Sequence, residues 1–125
     1  MIIASCEKED VAIAEEYQSI IGEWIWVESS GGIAGMTYKA SNIDNRKRIY
    51  NADGSFELYH NDTLESKGTY RIVIGNTIRD ENQQPLIQYS TSDSTEFTQS
   101  FDVSAEHLVL FDEFYDGFTN LYTRP

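Results

Sequence analysis

Positive charge, cysteine, proline and long apolar runs are all scarce in this 125-residue chain, and each shortage closes a route. Lys plus Arg number 9 against 21 for Asp plus Glu, a formal net charge of −12. Nucleic-acid binding needs clustered cations that displace counterions from phosphates, so no nucleic-acid partner is expected. No apolar stretch approaches the about 20 residues of a membrane-spanning helix. The single cysteine, Cys6, can form neither an intramolecular disulfide nor a zinc site by itself. There is no GxSxG, HExxH, CxxC or phosphate-cradling glycine motif. The two histidines, His60 and His107, border turns and read as surface residues. The expectation is a protein that is not an enzyme and carries no metal or other cofactor. Acidic turns around Asp112, Glu113 and Asp116, and at Asp80 and Glu81, do not match a calcium-binding loop and read as solvated.

What is plentiful is aromatic: Tyr 8, Phe 6 and Trp 2, within a 40% hydrophobic composition and with only 2 prolines. The length suits one domain, and the composition favours β-structure. Val11 to Ile21 carries the one helical pattern, with Val11, Ala14, Ile20 and Ile21 at helix-like intervals and Gly22 as its stop. Short alternating runs follow, bounded by polar turns. They predict eight strands near Gly22–Ser29, Arg46–Asn51, Ser55–His60, Ser66–Ile74, Leu86–Ser90, Thr95–Val103, His107–Asp112 and Phe118–Arg124. Asp53-Gly54, Gly75-Asn76 and Asp116-Gly117 supply turn chemistry between them. The expected fold is all-β, an eight-stranded antiparallel up-and-down β-barrel with a short N-terminal helix. Closure would also remove exposed sheet edges.

Alternation sorts the faces. Phe97, Gln99, Phe101 and Val103 are expected inside, with Glu96, Thr98, Ser100 and Asp102 facing water. Tyr70, Ile72 and Ile74 face in by the same logic, as do Phe56 and Leu58. A ligand cavity would then be lined by Trp26, Glu28, Tyr70, Phe97, Gln99 and Phe101, aromatic walls with a few polar groups. A barrel of this size either encloses one small ligand or fills itself with side chains. Arg46, Arg48 and Tyr50 share one strand face, and Lys47 shares the other with Ile49. With Ile49 inward, both arginines are solvated and only Lys47 reaches the barrel mouth, either to meet a carboxylate or to snorkel. The glycine-rich run from Ser29 to Met36 reads as a loop, either a lid on one mouth or a plain wide turn.

Ile3-Ala4-Ser5-Cys6 resembles a bacterial lipobox, in which small residues precede the cysteine that receives diacylglycerol. The charged run Glu7 to Asp10 would then be a hydrated tether, so residues 1–10 form lipobox remnant and tether, and residues 11–125 form the barrel domain. Only five residues precede Cys6, fewer than a signal peptide needs. The start lies further upstream, the chain was trimmed, or Cys6 is an ordinary free cysteine.

Gly22-Glu23-Trp24, opening the first strand after the helix, together with Arg124 at the end of the last, resembles the lipocalin and wider calycin pattern. In that pattern an arginine packs across the indole, a contact of about 0.5–2 kcal/mol. The stretch from Trp24 to Gly35 is similar to small bacterial lipocalin-like domain proteins, many of which resemble lipoproteins. The chain is shorter than the larger lipocalins and lacks their C-terminal helix and disulfide. The resemblance assigns Gly22, Trp24 and Arg124 a structural role. It implies a non-enzymatic binding protein, lipid-anchored at the outer membrane or cell surface of a bacterial envelope, that holds a small apolar or amphipathic ligand. Membrane contact would run through the lipid on Cys6 alone. The alternative is an acidic envelope interaction protein or inhibitor with a filled barrel, its charge steering it to a basic protein partner.

Overall fold

The computed structural model describes residues 15–32, 35–76, 83–112 and 117–125. Cys6, Asp80, Glu81, Glu113 and Asp116 lie outside the described residues, as do all of residues 1–14, to which the tether and the start of the helix were assigned. Nine strands are present among the described residues: β1 Gly22–Gly31, β2 Met36–Lys39, β3 Arg46–Tyr50, β4 Ser55–His60, β5 Thr63–Asn76, β6 Gln83–Thr91, β7 Glu96–Val103, β8 His107–Asp112 and β9 Phe118–Thr123. Each strand from β3 to β9 pairs antiparallel with the next, and β1 closes the ring by pairing with both β3 and β9. The result is a closed eight-stranded antiparallel barrel with β2 as an added strand. Left-handed turn residues hold the hairpins: Gly54 takes φ 89° between β3 and β4, and Asn61 and Asp62 take φ 51° and 68° in the two-residue turn between β4 and β5.

Five expectations need correction. The helix is a short 3-10 helix, Glu15–Ile20, among the described residues. It is too brief to sustain an α-helical ladder. Its last carbonyls are taken by side chains: Trp24 Nε1 donates to the Ile20 oxygen at 2.8 Å and Arg124 Nη2 to the Ser19 oxygen at 2.7 Å. The glycine-rich segment is a hairpin, in which β2 pairs with β1 from Glu28↔Lys39 to Gly31↔Met36. Four residues were too few for their alternation to stand out. Ile74 is 57% exposed, because β4 stops pairing at Thr69 and β5 runs on past the barrel wall. For the same reason Gly75 and Asn76 belong to β5, paired with Gln84 and Gln83, and do not form the turn. Ser100, expected to face water, is fully buried beside its cross-strand neighbour Leu86.

The core lies inside the ring. Trp24, Tyr50, Phe56, Ile87, Tyr89, Leu108 and Leu110 are essentially inaccessible to solvent, with Ile20 packed beneath them from the 3-10 helix. Strands β5 and β6 approach so closely at Gly68 that a Cβ there would run into the Ser90 carbonyl oxygen. Only glycine fits that crossing.

Candidate functional site

The two ends of the barrel differ. At the end where β1 begins, the Arg124 guanidinium lies 3.7 Å from the Trp24 ring centroid. It also donates to backbone oxygens of Ser19 and Glu23. Gly22, at φ 126°, leaves room for it: a Cβ there would stand 2.6 Å from Arg124 Nη1. Arginine, tryptophan and 3-10 helix together cap this end. Above the cap, aromatic rings occupy the interior. Tyr50 meets Tyr70 edge-on at 5.0 Å, Phe56 meets Tyr89 edge-on at 5.2 Å, and Phe97 stacks on Tyr89 at 4.4 Å.

The opposite end, the mouth, is polar and open. A register shift between Trp26 and Glu28 marks a bulge at Val27 in β1. Before it Trp26 points in, opposite Tyr122; after it Ser29 points in, opposite Asn120, and is buried. Glu28 therefore turns to the outer face opposite Leu121 and Lys39, which corrects its placement in a cavity. The basic cluster is also reversed. Tyr50 is fully buried, so Arg48 and Tyr50 face the interior, while Lys47 faces out with its ammonium 4.8 Å from the Tyr59 ring.

Arg48 is the floor of the mouth. Its Nη1 donates to the Tyr50 hydroxyl at 3.0 Å, with longer contacts to the Tyr89 hydroxyl at 3.3 Å and Gln99 Oε1 at 3.4 Å. Its carbon centre lies 4.8 Å from the Tyr122 ring. A hydrogen-bond ladder runs on from there. Tyr50 and Tyr89 share a 2.6 Å contact, Tyr89 donates to Gln99 Oε1 at 2.8 Å, and Gln99 Nε2 donates to Asp112 Oδ1 at 2.8 Å. Asn120 Nδ2 reaches the same Asp112 oxygen, the Ser29 hydroxyl donates to Asn120 Oδ1 at 2.6 Å, and Trp26 Nε1 donates to Ser29 Oγ at 2.7 Å. Burial pushes both the Tyr50 and Tyr89 phenols up, so they stay protonated and can donate. Burial also opposes the Arg48 charge, but the phenol oxygens of Tyr122, Tyr50 and Tyr89 outweigh it and hold the group above the usual arginine range.

Two small clefts open here. One, of about 330 Å³, is lined by Trp26, Ser29, Tyr38, Asp112, Phe118 and Asn120 under Arg46. The other, of about 180 Å³, shares Arg46, Asp112 and Asn120 with the first and reaches Arg48 and Gln99. A larger hollow of about 510 Å³ runs beside the β3–β4 turn, among Asp53, Arg71, Gln88 and Glu96. It meets Tyr70 and Tyr89 only where their rings are already buried.

Of the residues expected to line a cavity, Trp26 and Gln99 border the mouth clefts. Phe101 is buried in the core, Phe97 packs partly buried against it, and Tyr70 closes on Tyr50 with its hydroxyl donating to the Asn51 oxygen at 2.9 Å. Trp24 and Arg124 meet at the far end and line neither mouth cleft. Arg48 and Asp112 were expected in solvent, whereas Arg48 faces the mouth and Asp112 ends β8 with its oxygens hydrogen-bonded; Tyr50, Tyr89 and Asn120 were not expected at the site. A signal for Arg48 and Tyr50 existed: across the tight Asp53-Gly54 hairpin, Tyr50 pairs with Phe56 and Arg48 with Leu58, both already assigned inward. His60 sits on the mouth rim, its Nε2 3.0 Å from Asp44 Oδ1 and its Nδ1 3.7 Å from Glu65. Among the described residues no cluster of histidine, cysteine or carboxylate could hold a metal ion. Asp112 is occupied by Gln99, Asn120 and the Phe118 N–H. Compared with known proteins, the chain matches no family model, no curated protein and no solved structure, so its own residues carry the functional reading.

Proposed function

We propose that this chain is a non-enzymatic, lipocalin-like binding protein that takes a small amphipathic ligand at the mouth of its barrel. The observation carrying this reading is the asymmetry of the interior. One end is capped by Arg124 on Trp24 and the middle is filled by rings, while two clefts remain at the other end beside Trp26, Tyr38 and Phe118. Three aromatic side chains beside a few fixed polar groups are the usual makings of a small-molecule site, and 330 Å³ lies at the low end of the about 300–1,000 Å³ such sites span. The ligand is therefore short and held shallowly. The Ile3-Ala4-Ser5-Cys6 run supports placing the protein at a bacterial envelope, lipid-anchored through Cys6.

The test is a set of amide-correlation spectra of the labelled protein titrated with three eight-carbon probes: sodium octanoate, octanol and octylammonium. Binding of any one should move the signals of Trp26, Tyr38, Phe118 and Asn120. If none of the three moves them, the mouth is not a ligand site. A second reading draws on the filled interior and the net charge of −12: an acidic interaction protein that meets a basic partner. It calls for a complex with a cationic protein that weakens steeply with salt.

A further inference from the structure

From the state of Arg48 we infer that the ligand of this mouth carries a carboxylate, received on Nη2 of the Arg48 guanidinium; the inference rests on the mouth being the binding site. The hydrogen bonds of Arg48 all leave from Nη1, and Nε is sealed without a partner. Nη2 makes no hydrogen bond and is not sealed, so it is the open donor. It offers a charged N–H to a carboxylate oxygen. Among the described residues, the ion pairs within 4.0 Å join Arg46 and His60 to Asp44, and His60 to Glu65; none reaches Arg48.

A half-buried guanidinium with no carboxylate beside it is a costly arrangement unless a further group balances its charge. The surrounding phenols fix its position without neutralising it. The nearest acid along the ladder, Asp112, is one residue removed through Gln99, and both of its oxygens already accept protein donors. The cleft at Arg48 continues into the aromatic one through Arg46, Asp112 and Asn120, so a head group at Arg48 places an apolar tail beside Trp26, Tyr38 and Phe118.

A single negative charge fits better than a phosphate dianion. Of the other cations lining the mouth, Arg46 is engaged by Asp44 at 3.1 Å and 3.3 Å and Lys47 lies over the Tyr59 ring at 4.8 Å, while Asp112 and Glu65 repel added charge. Arg46 also covers the Trp26 ring at 4.3 Å, which keeps it at the rim.

Head-group comparison on the wild-type protein tests this directly. Sodium octanoate should bind about tenfold or more tightly than octanol, with octylammonium weaker still. In Arg48→Met, octanoate should lose its advantage and bind no more tightly than octanol does, with the amide spectrum reporting whether the barrel is intact. Octanol binding as tightly as octanoate to the wild type overturns the carboxylate assignment while leaving the mouth as a site. Octyl phosphate binding more tightly than octanoate overturns it in favour of a phosphate head. Should Arg48→Met not fold, the wild-type comparison decides alone.

Discussion

Both ends of the barrel place an arginine over a tryptophan of β1, two residues apart, and the two pairs behave differently. Arg124 lies 3.7 Å from the Trp24 ring and sends its remaining donors to main-chain oxygens of Ser19 and Glu23. Arg46 lies 4.3 Å from the Trp26 ring and sends its donors to the carboxylate of Asp44, on a rim loop. The first contact is anchored to backbone and closes a hydrophobic end. The second is anchored to an exposed side chain and covers a ring that borders a cleft. The same pairing thus serves as a cap where its partners are fixed and as a cover where they are not.

The largest expected effect comes from removing the capped indole. Trp24 is fully buried, and Trp24→Ala should destabilise the protein by about 3–5 kcal/mol in denaturant unfolding. A loss under about 1 kcal/mol would mean that this end is not the cap described. Next, Arg124→Ala should cost about 1–2 kcal/mol, since it removes the ring contact and leaves two carbonyls less well served. Arg46→Ala should change stability by less than about 0.5 kcal/mol, as befits an exposed ion pair. It should nevertheless raise the access of acrylamide to Trp26 fluorescence, measured in a Trp24→Phe background; equal losses of stability at the two arginines would erase the contrast.

The smallest effect is in acid. Hydrogen bonding from Arg46, aided by its charge and by His60, holds the Asp44 carboxyl below its ordinary value of 3.8. A depressed folded-state pKa stabilises the fold above the unfolded value and is lost as pH falls through the folded one. Asp44→Asn should therefore be slightly less stable than wild type at pH 6, and the two should converge as pH falls below the ordinary value of 3.8 and through the lowered folded-state one. Convergence at neutral pH instead would show that the rim ion pair contributes nothing.

Much of the barrel could be read from residues alone, because its hairpins are short and its alternation clean. Ser55–His60 and His107–Asp112 were expected at the bounds observed, and Asp53-Gly54 marks the turn between β3 and β4. The mouth was harder. A bulge leaves no mark in a sequence, so alternation carried past Val27 placed Glu28 inside where Ser29 stands. The interior arginine was missed for a different reason. Charge favours solvent in any residue-by-residue reading, and only the cross-strand register Tyr50↔Phe56 and Arg48↔Leu58 overrules that preference. The 3-10 helix answers to tertiary partners too, since its terminal carbonyls are claimed by Trp24 and Arg124 from the barrel.

Strands β2 and β3 divide one edge of β1 between them, the first beside Glu28–Gly31 and the second beside Gly22–Ile25. The segment joining them leaves the β1 ladder opposite Glu28 and re-enters it opposite Ile25, so its length is not dictated by the hoop of hydrogen bonds that closes the cylinder. It is fastened by single contacts, such as Asn61 Nδ2 to the Ile43 oxygen at 3.2 Å and the Asn45 N–H to Asn61 Oδ1 at 2.9 Å. Residues can be gained or lost at that seam while the strands on either side keep their partners. The aperture above Arg48 can then be reshaped over evolutionary time independently of the cylinder beneath it.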